Sequence, residues 1–384
     1  MITRRQFIKV CGALGLTVPL LGCGDDEPSG GFDGRVVVIG AGVAGLSAAH
    51  LLQRRDVDVR VLEAAATYGG RIKRTTEFVD FPISLGGEWL EAPERELARI
   101  VDDPSVDLDV RLVGYDPDDP TASFDGELVY SPLGEFGSLN FVESSWFDFF
   151  DEHIVPGISS RLTFGTEIVE IDHTGDPIRL TDASGTVHEA DRVIVTVPLR
   201  VLQEERLRFT PPLPARKQRA IDDALVWGGI KAFFEFDEAF YPSWVEFPDS
   251  DTATGQRYYY DAAYRRDTTT NVLGLFAVGT GAEPYQARTD DALRDHVLAE
   301  LDEVFDGAAS RSYLRHIVQD WSEEPFIGQA YLADTADPAI PPVLREPIDG
   351  RIHFAGEAYT RHDDWGSVDD AARAAREVVD RILA

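Results

Sequence analysis

The sequence predicts an α/β fold, in which a Rossmann-type βαβ domain assembled from discontinuous stretches of chain carries an inserted mixed α+β domain. Three observations predict it. The β-branched run Arg35 to Ile39 passes into Gly40-Ala41-Gly42-Val43-Ala44-Gly45, which opens an Ala-rich stretch of helical spacing from Leu46 to Arg54. A second β-rich segment, Val59-Arg60-Val61-Leu62-Glu63, follows a polar turn, as a right-handed crossover between parallel strands requires. Strand and helix signals of the same kind return in the middle and near the C-terminus, with other material between them.

Size and composition agree with this. At 384 residues the chain exceeds what one hydrophobic core usually serves, and a hydrophobic content of 43% excludes a disordered or fibrous class. The formal charge of −32 comes from 68 acidic against 36 basic residues, and no Lys/Arg-rich block offers a footprint for a phosphate backbone. Nucleic acid is not an expected partner. The acidity either attracts cationic substrates or serves solubility in salt.

Residues 1–23 read as an export signal. Thr3-Arg4-Arg5-Gln6-Phe7-Ile8-Lys9 is followed by an apolar run from Val10 to Leu21, too short to be a comfortable membrane span. The Arg pair resembles a bacterial twin-arginine signal, and Leu20-Leu21-Gly22-Cys23 resembles a lipobox in which Cys23 is lipidated. These resemblances imply a periplasmic or cell-surface lipoprotein that meets the membrane only through a lipid anchor at Cys23, with residues 24–34 as a tether. Cys11 and Cys23 are the only cysteines, so the folded body has no disulfide, thiol nucleophile or cysteine metal site, and no metal is expected.

The glycine-rich turn is a dinucleotide fingerprint. Gly40 permits the turn, Gly42 lets the backbone approach a pyrophosphate, and Gly45 lets helix and strand pack closely. The helix start, Ala44 included, presents unpaired N–H groups and a positive dipole end to phosphates. Glu63, ending the second strand, stands where a carboxylate binds a ribose diol, which disfavours a 2′-phosphate. The fingerprint leaves FAD and NAD both open.

Beyond it, Glu167 to Ile171, Ile178 to Thr181 and Val187 to Glu189 alternate apolar and polar residues and suggest a small antiparallel sheet. Arg192 to Val197 reads as an apolar strand, Gly229 to Phe236 and Asn271 to Val278 as strands of another region, and Thr289 to Phe305 as a helix with Leu293, Val297, Leu301 and Val304 on one face. Ile352 to Gly356 is a short buried strand, and Ser367 to Leu383 an Ala-rich helix. The expected division is residues 35–95, 160–205 and 321–384 for the nucleotide domain, with 96–159 and 206–320 for the substrate domain.

The run Glu63-Ala64 followed by Gly69-Gly70-Arg71 resembles the E-A-x-x-x-x-G-G-R run of the flavin-containing amine oxidases, the family of monoamine oxidases, polyamine oxidases and histone lysine demethylases. Leu85-Gly86-Gly87-Glu88-Trp89 resembles its G-G/A-x-W loop by the flavin, and Val193 to Leu202 its second FAD-domain strand. Phe209-Thr210-Pro211-Pro212-Leu213-Pro214 with Gly229-Ile230-Lys231, Trp321 to Tyr331, and Phe354-Ala355-Gly356-Glu357 match further segments in order. The resemblance covers roughly residues 35–380 and implies FAD as cofactor. It implies FAD contacts from Gly40, Gly42, Ala44, Gly45, Glu63, Gly70, Arg71, Gly87, Glu88, Trp89, Ile168, Gly356, Glu357 and Val368.

It also implies catalytic roles for Lys231, Trp321 and Tyr331. Lys231 matches the lysine that holds a water against flavin N5 and assists reaction with oxygen; read alone, it is a strand lysine that faces either the site or solvent. Trp321 matches a tryptophan packed near the flavin, and Tyr331 one wall of an aromatic cage around the substrate amine. The opposite wall departs from the family: Ser367 stands at the usual second aromatic, with Trp365 two places earlier. Glu91 falls where plant-type polyamine oxidases carry an acid that pairs with a distal ammonium, or is a solvated loop-end residue. Ala65 and Thr67 replace two arginines of the family run, and Ala330 rules out flavin attachment at the cysteine position some monoamine oxidases use.

The expected function is FAD-dependent oxidation of a small-molecule amine, with a polyamine as the candidate substrate, to an imine, with oxygen as acceptor and hydrogen peroxide as product. Two alternatives stay open: a carbon–carbon dehydrogenase of desaturase type, and a non-catalytic flavin-binding scaffold.

Overall fold

The computed structural model describes residues 32–361 and 365–384. Arg4, Arg5, Cys23 and most of the expected tether lie outside the described residues. Phe32, near the tether's end, already packs on the body, with the Arg192 guanidinium 5.2 Å from its ring.

Five parallel strands form the first sheet: β1 (Arg35–Ile39), β2 (Asp58–Leu62), β3 (Leu162–Thr163), β4 (Arg192–Val195) and β5 (Ile352–Phe354), in the order β5-β4-β1-β2-β3. Helix α1 (Val43–Gln53) makes the crossover from β1 to β2, as the sequence requires. Val36, Val38, Val59 and Val61 are buried against one core and Val37, Ile39, Val193 and Val195 against another, so the central strands are covered on both faces. A methyl group at Gly45 would lie 1.9 Å from the Gly40 carbonyl oxygen, so only glycine lets α1 start this close to the strand end. Helix α2 (Val368–Leu383) lies along α1, and the buried Ala371, Ala372, Ala374 and Ala375 face a core that also holds Ala48 and Ala49. Small side chains on both helices permit this close approach.

A seven-stranded sheet forms the second region, in the order Tyr313–Asp320, Gly229–Phe236, Asn271–Gly279, Gly255–Asp261, Trp244–Glu246, Pro120–Phe124, Leu128–Pro132. Its far face is closed by the helix Asp290–Val304, whose buried Leu293, Val297, Leu301 and Val304 are the stripe read from the sequence.

The structure departs from the sequence reading in three places. The small sheet is mixed, because Arg208–Thr210 adds to it parallel to Ile168–Asp172. The strand at Arg192 stops at Val195, and the Thr196 hydroxyl instead bonds the Ile39 carbonyl at 2.7 Å. The expected domain boundaries divide differently. Within 96–159 only Pro120–Phe124 and Leu128–Pro132 join the seven-stranded sheet, whereas Trp146, Phe149, Phe150, Ile154 and Ile158 pack in the core of α1. Within 206–320, Ala220, Ile221 and Ala224 belong to the core beside β4. These segments are divided between two apolar cores by tertiary packing, which local apolar spacing does not specify.

Among the described residues no helix is long and apolar enough to cross a membrane.

Candidate functional site

A cavity of about 1610 Å³ extends from the β1–α1 turn to the near face of the seven-stranded sheet. Gly40, Gly42, Ala44, Glu63, Gly70 and Arg71 line it, as do Gly87, Glu88, Trp89, Lys231, Trp321, Tyr331, Gly356, Glu357, Trp365, Ser367, Val368, Glu91 and Ile168. The fold thus gathers the site residues expected from sequence into one space. Gly45 is the exception: it does not line the cavity, and its contact is with the Gly40 carbonyl.

At the nucleotide end, Gly42 is the N-cap of α1 and has no side chain to cap it, so the first N–H groups of the helix remain for a ligand. A methyl group at Gly42 would meet nothing within 4 Å. The strand-to-helix turn therefore keeps open room where a pyrophosphate must come close to backbone. Glu63 accepts the Ala41 N–H at 2.5 Å and the Ala65 N–H at 2.8 Å, which fixes its carboxylate at the mouth of the turn. Open backbone, helix N-terminus and a placed carboxylate fit the adenosine diphosphate portion of FAD.

Arg71 crosses the cavity wall. Its guanidinium donates to the Ala330 carbonyl at 2.6 Å and to Glu357 Oε1 at 2.9 Å, and Glu357 Oε2 accepts the Leu332 N–H at 3.2 Å. These bonds tie the 69–72 turn to the two C-terminal segments that close the site. Trp321 is buried and donates its indole N–H to the Leu85 carbonyl at 2.9 Å, holding the 85–89 loop.

Lys231 does not face solvent. It is 3% exposed, and its ammonium donates to Glu88 Oε2 at 2.7 Å, the Gly86 carbonyl at 3.1 Å and the Ser84 carbonyl at 3.3 Å. Tyr260 donates its hydroxyl to the same Glu88 oxygen at 2.5 Å. The ammonium lies 5.0 Å from the Trp89 ring centre and 5.4 Å from that of Tyr260. Burial pushes the Lys231 pKa down from its ordinary value, and Glu88 opposes that shift.

Strand register explains which other side chains share this wall. Lys231 is directly opposite Phe276, Phe276 opposite Tyr258, and Tyr258 opposite Glu246, so one cross-strand row projects to the same face. All four line the cavity. Tyr258 stacks on Phe276 with ring centres 4.7 Å apart and on Trp244 at 4.4 Å. Trp227 is paired with Tyr331 across a two-stranded ribbon, their rings 5.9 Å apart and edge to face. Sequence reasoning missed Trp227, Trp244, Glu246, Tyr258 and Phe276. The strand that carries Lys231 was legible, but its partners are set by pairing between distant strands.

The C-terminal segment has an unexpected local reason for Ser367. Its hydroxyl caps α2, accepting the Asp370 N–H at 3.0 Å, a role for which an aromatic residue has no chemistry. Trp365 donates to the Ala333 carbonyl at 3.0 Å and lines the cavity beside it. Of the four aspartates in this segment, Asp363 and Asp364 lie outside the described residues. Asp369 and Asp370 are buried rather than solvated, each paired with Arg373 at 3.3 and 3.1 Å. Asp369 Oδ1 accepts the Glu91 N–H at 3.2 Å, while Glu91 itself is exposed at the rim and accepts the Ser138 hydroxyl at 2.7 Å. Burial, then the neighbouring Asp370, raises the Asp369 pKa to about 7.

Residues 157–383 match the family described as flavin containing amine oxidoreductase, and residues 38–104 match the NAD(P)-binding Rossmann-like domain. The lysine-specific histone demethylase 1B of Mus musculus is 26% identical over 416 residues, covering 85% of this chain and 50% of that protein. The chain therefore spans about half the length of that demethylase. Polyamine oxidase 3 of Oryza sativa subsp. japonica is 26% identical over 410 residues, covering 84% of each. A solved triple mutant of a putrescine oxidase superposes with a TM-score of 0.76 at 15% identity, covering 91% of this chain and 99% of that one, a likeness of fold.

Proposed function

The chain belongs to the flavin containing amine oxidoreductase family and is an FAD-dependent oxidoreductase, and from that premise we propose that it oxidises a polyamine to an imine, with oxygen as acceptor and hydrogen peroxide as product. The observation that carries the reading is the cross-strand row from Lys231 through Phe276 and Tyr258 to Glu246. It sets a carboxylate three strands away from the lysine, about 14 Å at the usual strand spacing. Aromatic rings lie between the two, a surface that favours cations and alkyl chain alike. The names of the plant polyamine oxidase and of the putrescine oxidase support the same substrate class.

Bound FAD supplies the hydride acceptor for the carbon beside the reacting nitrogen. Tyr331 and Trp227 line the part of the cavity that would receive that nitrogen, and Trp321 holds the 85–89 loop that would face the cofactor. The apolar surroundings favour loss of the amine's proton, which frees its lone pair. Glu246 inside the cavity and Glu91 at its rim draw in the second ammonium. Trp365, two residues before the Ser367 cap, also lines the cavity and is the aromatic this segment offers in place of one at Ser367.

The test is anaerobic bleaching of the yellow protein by polyamines, monoamines, amino acids and apolar polyenes. Bleaching by a polyene and by none of the amines would sink the proposal. For its location the support is the N-terminal sequence alone: we propose twin-arginine export and lipidation at Cys23. Cys23→Ala should then move the protein from the membrane fraction to the soluble periplasmic or medium fraction.

A further inference from the structure

The buried Lys231–Glu88–Tyr260 cluster has more structure than a lone cation beside a cofactor requires. An ammonium has three N–H groups, and all three acceptors around Lys231 come from the protein: Ser84, Gly86 and Glu88. Two of them are carbonyls of the 84–88 loop, and the third is a side chain of that same loop. Glu88 receives both Lys231 and Tyr260 on Oε2, and no hydrogen bond among the described residues engages Oε1. Glu88 and Lys231 are 8% and 3% exposed, and both line the cavity. A carboxylate placed so must compensate the burial of the ammonium, because carbonyls alone do not carry the opposing charge.

We propose that Glu88 is a positioning residue: it keeps Lys231 charged and turned onto the 84–88 loop, so that this cavity wall presents a fixed, neutral ion pair to the cofactor. The resemblance to known amine oxidases assigns Glu88 only to cofactor contact, whereas the geometry assigns it to Lys231. The inference rests on the proposed function only in taking Lys231 as part of the working site.

Without Glu88 the lysine would keep two carbonyls and the rings of Trp89, Phe233 and Tyr260. Other groups facing the cluster are Tyr115, Tyr258 and Arg266, which feel the Glu88 charge. None of them is a second anion at neutral pH. In Glu88→Gln the folded protein would therefore hold Lys231 neutral where the unfolded chain holds it charged. The unfolded state then binds the extra proton, and stability rises with pH until the unfolded lysine also titrates.

The experiment measures thermal unfolding of the FAD-loaded protein and its Glu88→Gln variant from about pH 6.5 to about pH 9.5. The expected result is a lower Tm for the variant, with a gap that shrinks by about half or more across that range. Glu88→Asp should recover part of the loss. The double variant Glu88→Gln/Lys231→Met, which has no ammonium to strand, should lose the pH dependence of the gap even if it is less stable overall. A gap that stays constant with pH, or persists in its pH dependence without Lys231, would overturn the proposal. If Glu88→Gln does not fold, Glu88→Ala and Glu88→Ala/Lys231→Met, which also remove the carboxylate, give the same comparison. Bleaching by amines tests the proposed function separately, since it does not depend on either Tm profile.

Discussion

The Lys231 ammonium and the Glu88 carboxylate lie 2.7 Å apart inside the protein although 143 residues separate them in the chain. One comes from the strand next to the edge of the seven-stranded sheet and the other from the loop that Trp321 holds by its indole N–H. Lys231→Met removes the cation and leaves Glu88 with Tyr260 alone. Stability should fall by about 3 kcal/mol, the usual effect of breaking a buried pair. If Lys231 also assists the reaction with oxygen, reoxidation of the reduced flavin should slow by about tenfold or more, equivalent to about 1.4 kcal/mol of barrier. Stopped-flow mixing of anaerobically reduced protein with oxygenated buffer measures this. An unchanged reoxidation rate would remove Lys231 from the oxidative half of the reaction.

The fingerprint glycines should separate experimentally into a packing position and a ligand position. Gly45→Ala places a methyl 1.9 Å from the Gly40 oxygen, so helix and strand must part, at a cost of about 2 kcal/mol in stability. Gly42→Ala meets nothing within 4 Å and has an ordinary φ of −76°, so the protein should fold normally. Its FAD affinity should fall by about tenfold or more, because the methyl occupies the approach of the pyrophosphate. Chemical denaturation and FAD titration of the two variants distinguish these outcomes, and equal effects on both measurements would contradict the division.

What was legible in the sequence is what local geometry dictates. The strand, the glycine turn, the helix and Glu63 form within one crossover, so their spacing alone carries the chemistry. The segments that close the site, such as Arg71 with Glu357, were found by resemblance, since 286 residues separate those two and no periodicity links them. Trp227, Trp244, Glu246, Tyr258 and Phe276 stayed hidden because strand pairing decides the face on which each projects. The N-cap role of Ser367 was legible in principle: a serine just before an Ala-rich helix is a capping signal. The aspartates after it were less so, because exposure follows from packing against Glu91 and Arg373 rather than from charge.

The acid at the far end of the cross-strand row gives a prediction about substrate length. Glu246→Gln should raise KM for long polyamines by about fivefold, corresponding to about 1 kcal/mol for a partly solvated ion pair. KM for a monoamine of similar bulk should hardly change, because it has no second ammonium to place. Steady-state kinetics with a series of diamines of increasing length tests this, and an equal rise for monoamines would show that Glu246 acts on shape rather than on charge. Salt should diminish the effect of Glu91→Gln more than that of Glu246→Gln, since Glu91 is exposed at the rim.

Asp369 makes stability depend on pH in a direction opposite to most carboxylates. Its folded pKa is raised to about 7 by burial and by Asp370, above the ordinary value of 3.8. A raised carboxyl means that the folded state binds the proton more tightly than the unfolded chain. Its contribution is thus fully present below about pH 4 and is lost as pH rises through about 7. Asp369→Asn mimics the protonated form and keeps an oxygen to accept the Glu91 N–H. The variant should match the parent below about pH 4 and become more stable than it by about 2 kcal/mol near pH 8, with Arg373 limiting the gain by favouring the charged form. Unfolding profiles of the two proteins across pH 4 to about 8.5 check the sign. A variant that is less stable at the alkaline end would mean that the Arg373 pair outweighs burial, and that Asp369 is held charged at the start of α2.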